Sequence, residues 1–187
     1  MSEKFTAKKL AFAGVALALA YALSFITIFH MPTGGSITLL SMFFVTLIGY
    51  WYGPVIGLAA GFAYAFLQFF QNRDYILSVW QVLFDYFLAF GALGVSGFFH
   101  RRKHGLISGY ITAVLLRFVF TTIASILFWS EYLTLPESIP NRTLATIFAA
   151  SLYNISYIGL EALITIVIIL IPPVNAVLRK LKQAAND

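Results

Sequence analysis

Long apolar runs separated by short turn signals dominate the chain. Cut at charges, glycines and prolines, the pattern predicts six helices, over Leu10–Phe29, Ile37–Tyr50, Val55–Phe70, Ile76–Phe99, Leu106–Trp129 and Leu144–Ile171. Most of these reach the ~20 residues a helix needs to cross the hydrocarbon of a bilayer. The second and third are shorter and meet at Tyr50-Trp51-Tyr52-Gly53-Pro54. Gly-Pro breaks a helix and aromatic rings suit an interface, so this pair reads as a hairpin rather than one bent span. The longest polar stretch between segments is Ser130–Thr143. No internal repeat or soluble linker interrupts the series, so residues 1–187 read as one compact bundle.

Composition turns these helices into membrane spans. Hydrophobic residues make up 60% of the chain and charged ones 10%, with a mean hydropathy of +0.88, far from the balance of a soluble domain. The reading is therefore an all-α integral membrane protein of six transmembrane helices. The first segment is too long and alanine-rich for a cleaved signal peptide and is expected to be retained. The absence of cysteine excludes disulfides, thiolate metal sites and cysteine nucleophiles.

Charge supplies the orientation. Nine of the twelve basic residues fall on one side: Lys4, Lys8 and Lys9 before the first span, Arg101, Arg102 and Lys103 between the fourth and fifth, and Arg179, Lys180 and Lys182 after the sixth. The positive-inside rule makes that side, with both termini, cytoplasmic. The net charge of +5 follows from this topology, and basic residues held at span ends do not form a nucleic-acid footprint.

Three ionisable residues remain inside spans: Asp85, Arg117 and Glu161. Each costs roughly 2.5–3.5 kcal/mol on insertion, so each should face protein or a wet cavity. Counted at 1.5 Å per residue, Asp85 lies about 14 Å from the outer end of its span and Arg117 about 17 Å from the inner end of the next. Arg117 can thus form a structural ion pair with Asp85 or with Glu161, or belong to a ligand site. Polar and aromatic residues gather at similar depth: Gln81 and Tyr86 beside Asp85, then Tyr153, Asn154, Ser156 and Tyr157 on the sixth segment, and Trp129 at the end of the fifth. A carboxylate, an amide, hydroxyls and flat rings together suit a small, flat, polar or cationic molecule. Trp129 alone would equally fit an interfacial aromatic belt.

Catalysis lacks its parts. The histidines, His30, His100 and His104, lie outside the spans, and there is neither metal-ligand spacing nor a phosphate-binding glycine loop. The reading is a non-enzymatic protein without cofactor or metal, in which any ATP-driven transport needs other subunits. In the first span alanines recur four apart, as in Ala7 and Ala11, Ala16 and Ala20, Ala18 and Ala22. Such a face allows close helix approach, either within the bundle or to another membrane subunit.

Five stretches carry a resemblance: MPTGGSITLLSM (31 to 42), YGPVIGLAAGFAYAFLQFF (52 to 70), YILSVWQVLFDYFLAFGALGVSGFF (75 to 99), RFVFTTIASILFWSEY (117 to 132) and SLYNISYIGLEALI (151 to 164). In that order they resemble the S components of energy-coupling factor (ECF) vitamin transporters, and among these the thiamine-specific ThiT group. The resemblance implies a six-helix plasma-membrane subunit whose vitamin site opens outward under the loop between the first two spans. It also implies a transmembrane coupling subunit, docked on the alanine face through Ala11, Ala16 and Ala20, and two cytoplasmic ATPases. Asp85 corresponds to an acidic contact to the aminopyrimidine of thiamine, and Trp129 and Asn154 to further ligand contacts. The pattern departs at Thr121, where the family has histidine, at Ser125, where it has glycine, and in the covering loop, where TGGSI replaces a ring-stacking tryptophan. Hydroxymethylpyrimidine and pyridoxine therefore stand beside thiamine as ligands. A stand-alone ion-coupled secondary transporter, with Asp85 as the coupling site, is the alternative of another class, and small size without an internal repeat argues against it.

Overall fold

The computed structural model describes residues 6–32 and 34–186. Lys4, and Thr33 in the covering loop, lie outside them. Seven helices follow in order: α1 (Ala7–Ser24), α2 (Ser41–Tyr52), α3 (Pro54–Gln71), α4 (Val79–Phe99), α5 (Gly105–Phe128), α6 (Arg142–Leu170) and α7 (Pro172–Asn186). Five of them, α1, α3, α4, α5 and α6, are long and apolar enough to cross a membrane, and α2 is a shorter apolar helix.

The first two segments differ from the sequence reading. α1 starts on a Thr6 cap, whose Oγ1 accepts from Lys9 N at 3.3 Å, and it ends at Ser24 rather than Phe29. The chain then forms an antiparallel hairpin, β1 (Thr27–His30) with β2 (Ser36–Thr38). β-branched and aromatic residues at Thr27, Ile28 and Phe29 favour extended backbone, and an apolar count cannot separate such a strand from a helix end. Gly34 and Gly35 make the turn possible, with φ of 96° and 86°, which residues with a Cβ rarely adopt. Met31 N donates to Gly35 O at 3.0 Å and closes it.

α2 spans only 12 residues, about 18 Å, because it starts below the hairpin inside the bundle. Met42, Phe43, Val45, Leu47 and Ile48 are buried around it. Its N-terminal N–H groups would be left without partners there. Glu161 of α6 supplies the acceptors: its carboxylate takes hydrogen bonds from Thr38 N (3.1 Å), Thr38 Oγ1 (2.8 Å), Ser41 Oγ (3.2 Å) and Met42 N (3.3 Å).

Helix α4 packs in the centre, against α2, α3 and α5. Glycines allow this: a Cβ at Gly94 would overlap the backbone of Gly57, and one at Gly97 the backbone of Gly53. Ser96 Oγ donates to Thr46 O at 2.8 Å and ties α4 to α2. Two helices change their winding part-way. α4 is π-helical over Leu83–Leu88 and α6 over Ile155–Gly159, a local widening that often accompanies functional sites.

After α6, Pro172 starts a separate helix where the sequence reading has only a basic tail. α7 buries Leu178 and Ala185, and Lys182 Nζ donates to His100 O at 2.6 Å while sitting 3.6 Å from the Tyr50 ring centroid.

Candidate functional site

One cavity of about 180 Å³ lies between the hairpin and helices α3 to α6. Gln81, Asp85, Tyr86, Thr121, Trp129, Tyr153, Asn154 and Tyr157 line it, whereas Ser156, grouped with them by depth, does not and donates its hydroxyl to Tyr153 O at 2.6 Å. Arg117 lines it too, and Glu161 does not. Both π-helical stretches border the cavity, placing Asp85 and Tyr86 on one side and Tyr157 on the other.

Asp85 is oriented from two directions. Gln81, one turn earlier on α4, donates Nε2 to Oδ2 at 2.7 Å, and the Trp129 indole N–H donates to the same oxygen at 2.9 Å. Gln81 is fixed in turn, since its Oε1 accepts from Leu77 N at 3.2 Å. Among the described residues Oδ1 accepts no hydrogen bond. The carboxylate is therefore held in position with one oxygen available to a donor.

Arg117 pairs with neither Asp85 nor Glu161, contrary to the structural ion pair the sequence allowed. Its guanidinium lies 4.3 Å from the Phe90 ring centroid, and its buried Nε has no hydrogen-bond partner among the described residues. Glu161 is saturated by α2 and the end of the hairpin, and the guanidinium stacked on Phe90 leaves Oδ1 of Asp85 open. Arg117 still acts on both carboxylates through space.

Asn154 lines the cavity, but its bonds are largely committed. Nδ2 donates to Ser125 Oγ (2.8 Å) and Ala150 O (2.9 Å), and Oδ1 accepts from Tyr157 OH (2.9 Å). With both N–H groups used, it can offer a ligand only an acceptor lone pair. Its main work is to hold Tyr157 and tie α6 to α5. Thr121 likewise spends its hydroxyl on Arg117 O and Phe118 O.

The hairpin covers the cavity with His30, Gly34, Gly35 and Ser36. Tyr153 OH donates to Gly34 O at 2.8 Å, and Gly35 sits on the Tyr157 ring so closely that a Cβ there would be 2.9 Å from Cζ. Without side chains at Gly34 and Gly35, the backbone itself closes against α6.

Helix α3 adds a polar wall that its apolar run conceals. Tyr64, Gln68 and Asn72 recur every four residues and line the cavity together. Gln68 Nε2 donates to Tyr64 OH (2.9 Å), Asn72 Nδ2 to Gln68 Oε1 (3.2 Å), and Tyr86 OH to Asn72 O (3.2 Å). The i, i+4, i+8 spacing of polar groups in an otherwise apolar helix was the available signal.

Comparison with known proteins bears on this arrangement. Residues 10–180 match the family model described as thiamine transporter protein (Thia_YuaJ). The chain belongs to this thiamine transporter family. The thiamine transporter ThiT of Bacillus subtilis (strain 168) is 29% identical over 140 residues, covering 68% of this chain and 69% of that protein. A solved structure of ThiT from Listeria monocytogenes has the same fold, with a TM-score of 0.66 at 22% identity, covering 88% of this chain and 94% of that one. For this thiamine transporter family member, the fold and the apolar helices describe a membrane protein with a polar, partly charged cavity under a hairpin.

The alanine face of α1 is divided. Ala16 and Ala20 are 3% and 0% exposed, on the side of α1 that packs against α2 and α3. Ala11 is exposed, and Ala7, Gly14, Ala18 and Ala22 are exposed along the same helix.

Proposed function

We propose that this chain is the substrate-binding S component of an ECF-type importer and captures thiamine, or its hydroxymethylpyrimidine half, from outside the cell. The observation that carries this reading is the Asp85 carboxylate, aimed by Gln81 and Trp129 and left with Oδ1 available at the cavity. An aminopyrimidine presents an exocyclic N–H donor to such an oxygen, and the charge-assisted bond is stronger than a neutral one. The aromatic rings of Tyr86, Trp129, Tyr153 and Tyr157 offer contact area for flat heterocycles. Formal charge favours thiamine over its neutral half. The open Oδ1 of Asp85 lies at the cavity, where a carboxylate attracts the thiazolium cation that the pyrimidine half lacks.

Titrating the purified protein with thiamine, hydroxymethylpyrimidine and pyridoxine, and following tryptophan fluorescence, tests the ligand. Trp129 borders the cavity, so its emission should change, with thiamine binding tightest. No response to any of the three, or a preference for pyridoxine, overturns the reading.

In this proposal α2 completes a set of six spans, both termini are cytoplasmic, and the protein resides in the plasma membrane. It delivers its ligand through a coupling subunit driven by two cytoplasmic ATPases. The docking face on α1 is the exposed row of Ala11, Ala18 and Ala22, because small residues allow the close helix approach that membrane packing favours. Tryptophan at both Ala11 and Ala18 should abolish co-purification with the coupling subunit and leave thiamine affinity unchanged. Ala16→Trp should instead lower thermal stability, since that position is internal. Retention of the complex by the Ala11 and Ala18 double variant would rule the face out.

A further inference from the structure

A second, smaller cavity of about 50 Å³ lies at the end of the bundle away from the hairpin. Lys103 and His104 from the α4–α5 loop, Arg179 and Asn175 from α7, and Tyr50 from α2 border it, over an apolar floor that includes Leu178. Lys182 holds these parts together through His100 O and the Tyr50 ring. Arg179 is oriented rather than free, its Nε donating to Asn175 Oδ1 at 2.8 Å. The acidic side chains among the described residues are elsewhere: Asp74, Glu131 and Glu137 at the opposite end, Asp85 and Glu161 in the interior. Lys103, His104 and Arg179 therefore converge with no carboxylate of the described residues beside them.

Position narrows what could fill this cavity. It sits where α5 begins, at Gly105, and just past the end of α6, at Leu170, the level of the lipid headgroups. α7 has an amphipathic pattern. Its Leu178 and Ala185 face the bundle, while Val177 and Leu181, next to them on the apolar side, are 55% and 37% exposed. A helix with that division lies in the membrane interface, apolar side toward acyl chains and basic side toward headgroups. Basic pockets between spans on the cytoplasmic side suit phosphate headgroups.

We propose that the cavity formed by Lys103, His104, Arg179 and Tyr50 seats the phosphate of an anionic phospholipid, whose acyl chains run along the exposed apolar side of α7. The phosphate accepts from the two cationic side chains, and the small volume suits a phosphodiester group rather than a larger soluble anion. This binding is separate from capture of the vitamin.

The test is thermal unfolding of the full-length protein in detergent micelles supplemented with phosphatidylglycerol, phosphatidylcholine or inorganic phosphate. Phosphatidylglycerol should raise Tm above the phosphatidylcholine value by roughly 3 °C or more at saturation. The double substitution Lys103→Gln, Arg179→Gln should remove at least half of that difference, whereas Arg73→Gln, an exposed cation at the opposite end, should leave it intact. Both changes are on exposed side chains, and unchanged thiamine affinity verifies folding. Equal stabilisation by the two lipids overturns the proposal, as does a phosphatidylglycerol effect that survives in the double variant. Inorganic phosphate reproducing the full shift overturns the lipid assignment.

Discussion

Asp85→Asn is expected to weaken thiamine binding by about tenfold to a hundredfold. The change keeps the shape of the side chain and removes its charge. A hydrogen bond to a charged group contributes about 1.5–3 kcal/mol, and each 1.4 kcal/mol is about a factor of ten in affinity. The amide also disturbs the site's own geometry. Gln81 Nε2 and the Trp129 N–H both donate to Oδ2; if the amide oxygen takes that place, its NH2 faces the ligand, a donor set against the donor of an aminopyrimidine. Isothermal titration of the purified variant measures the loss without relying on Trp129 fluorescence. Affinity equal to that of the unmodified protein would remove Asp85 from the ligand site.

Glu161→Ala, by contrast, acts on the fold. Its carboxylate accepts four hydrogen bonds, two from the backbone N–H groups of Thr38 and Met42. Alanine strands both in the interior, at about 1–3 kcal/mol for each unsatisfied group, and removes a negative charge from the N-terminus of α2, a further ~0.3–1 kcal/mol or more. The expected destabilisation is about 3 kcal/mol or more, a fall in Tm of roughly 6 °C or more for a chain of this size. Glu161→Gln keeps an acceptor oxygen and should lose less. Because β2 and α2 are joined at this carboxylate, the alanine variant should also loosen the hairpin and weaken thiamine binding indirectly. A melting temperature unchanged from the parent would show that water replaces the carboxylate without cost.

These two acids looked alike in the sequence: each is a lone carboxylate in an apolar segment. Their difference lies in partners far along the chain. Glu161 meets Thr38 and Met42, more than a hundred residues away, which no local pattern records. Asp85 finds Gln81 four residues earlier, and that neighbour is legible from helical spacing. Trp129, its other partner, was placed near the site by depth, yet its use as an N–H donor to Asp85 depends on how α5 ends. Depth and chemistry make Asn154 a candidate ligand contact, but the number of its bonds already committed within α5 and α6 emerges only once those helices are side by side. Arg117 shows the same limit, since its depth places it near two carboxylates, yet its guanidinium rests on Phe90 and pairs with neither.

By itself, the sequence determined that the chain belongs in a bilayer, that its ionisable residues at mid-depth need protein around them, and that Asp85 has polar and aromatic company. Composition and helical period suffice for this, because burying charge in hydrocarbon is costly wherever it occurs. Tertiary structure alone decided which face of α1 turns inward, that Thr27–His30 and Ser36–Thr38 pair as a hairpin over the cavity, and that α7 folds back beneath the bundle. The reason lies in the solvent. In water an apolar stripe identifies the buried face of a helix, whereas in a membrane both lipid and protein interior accept apolar side chains. Ala11 and Ala16 are then the same letter in the same pattern, and only packing against α2 and α3 tells them apart.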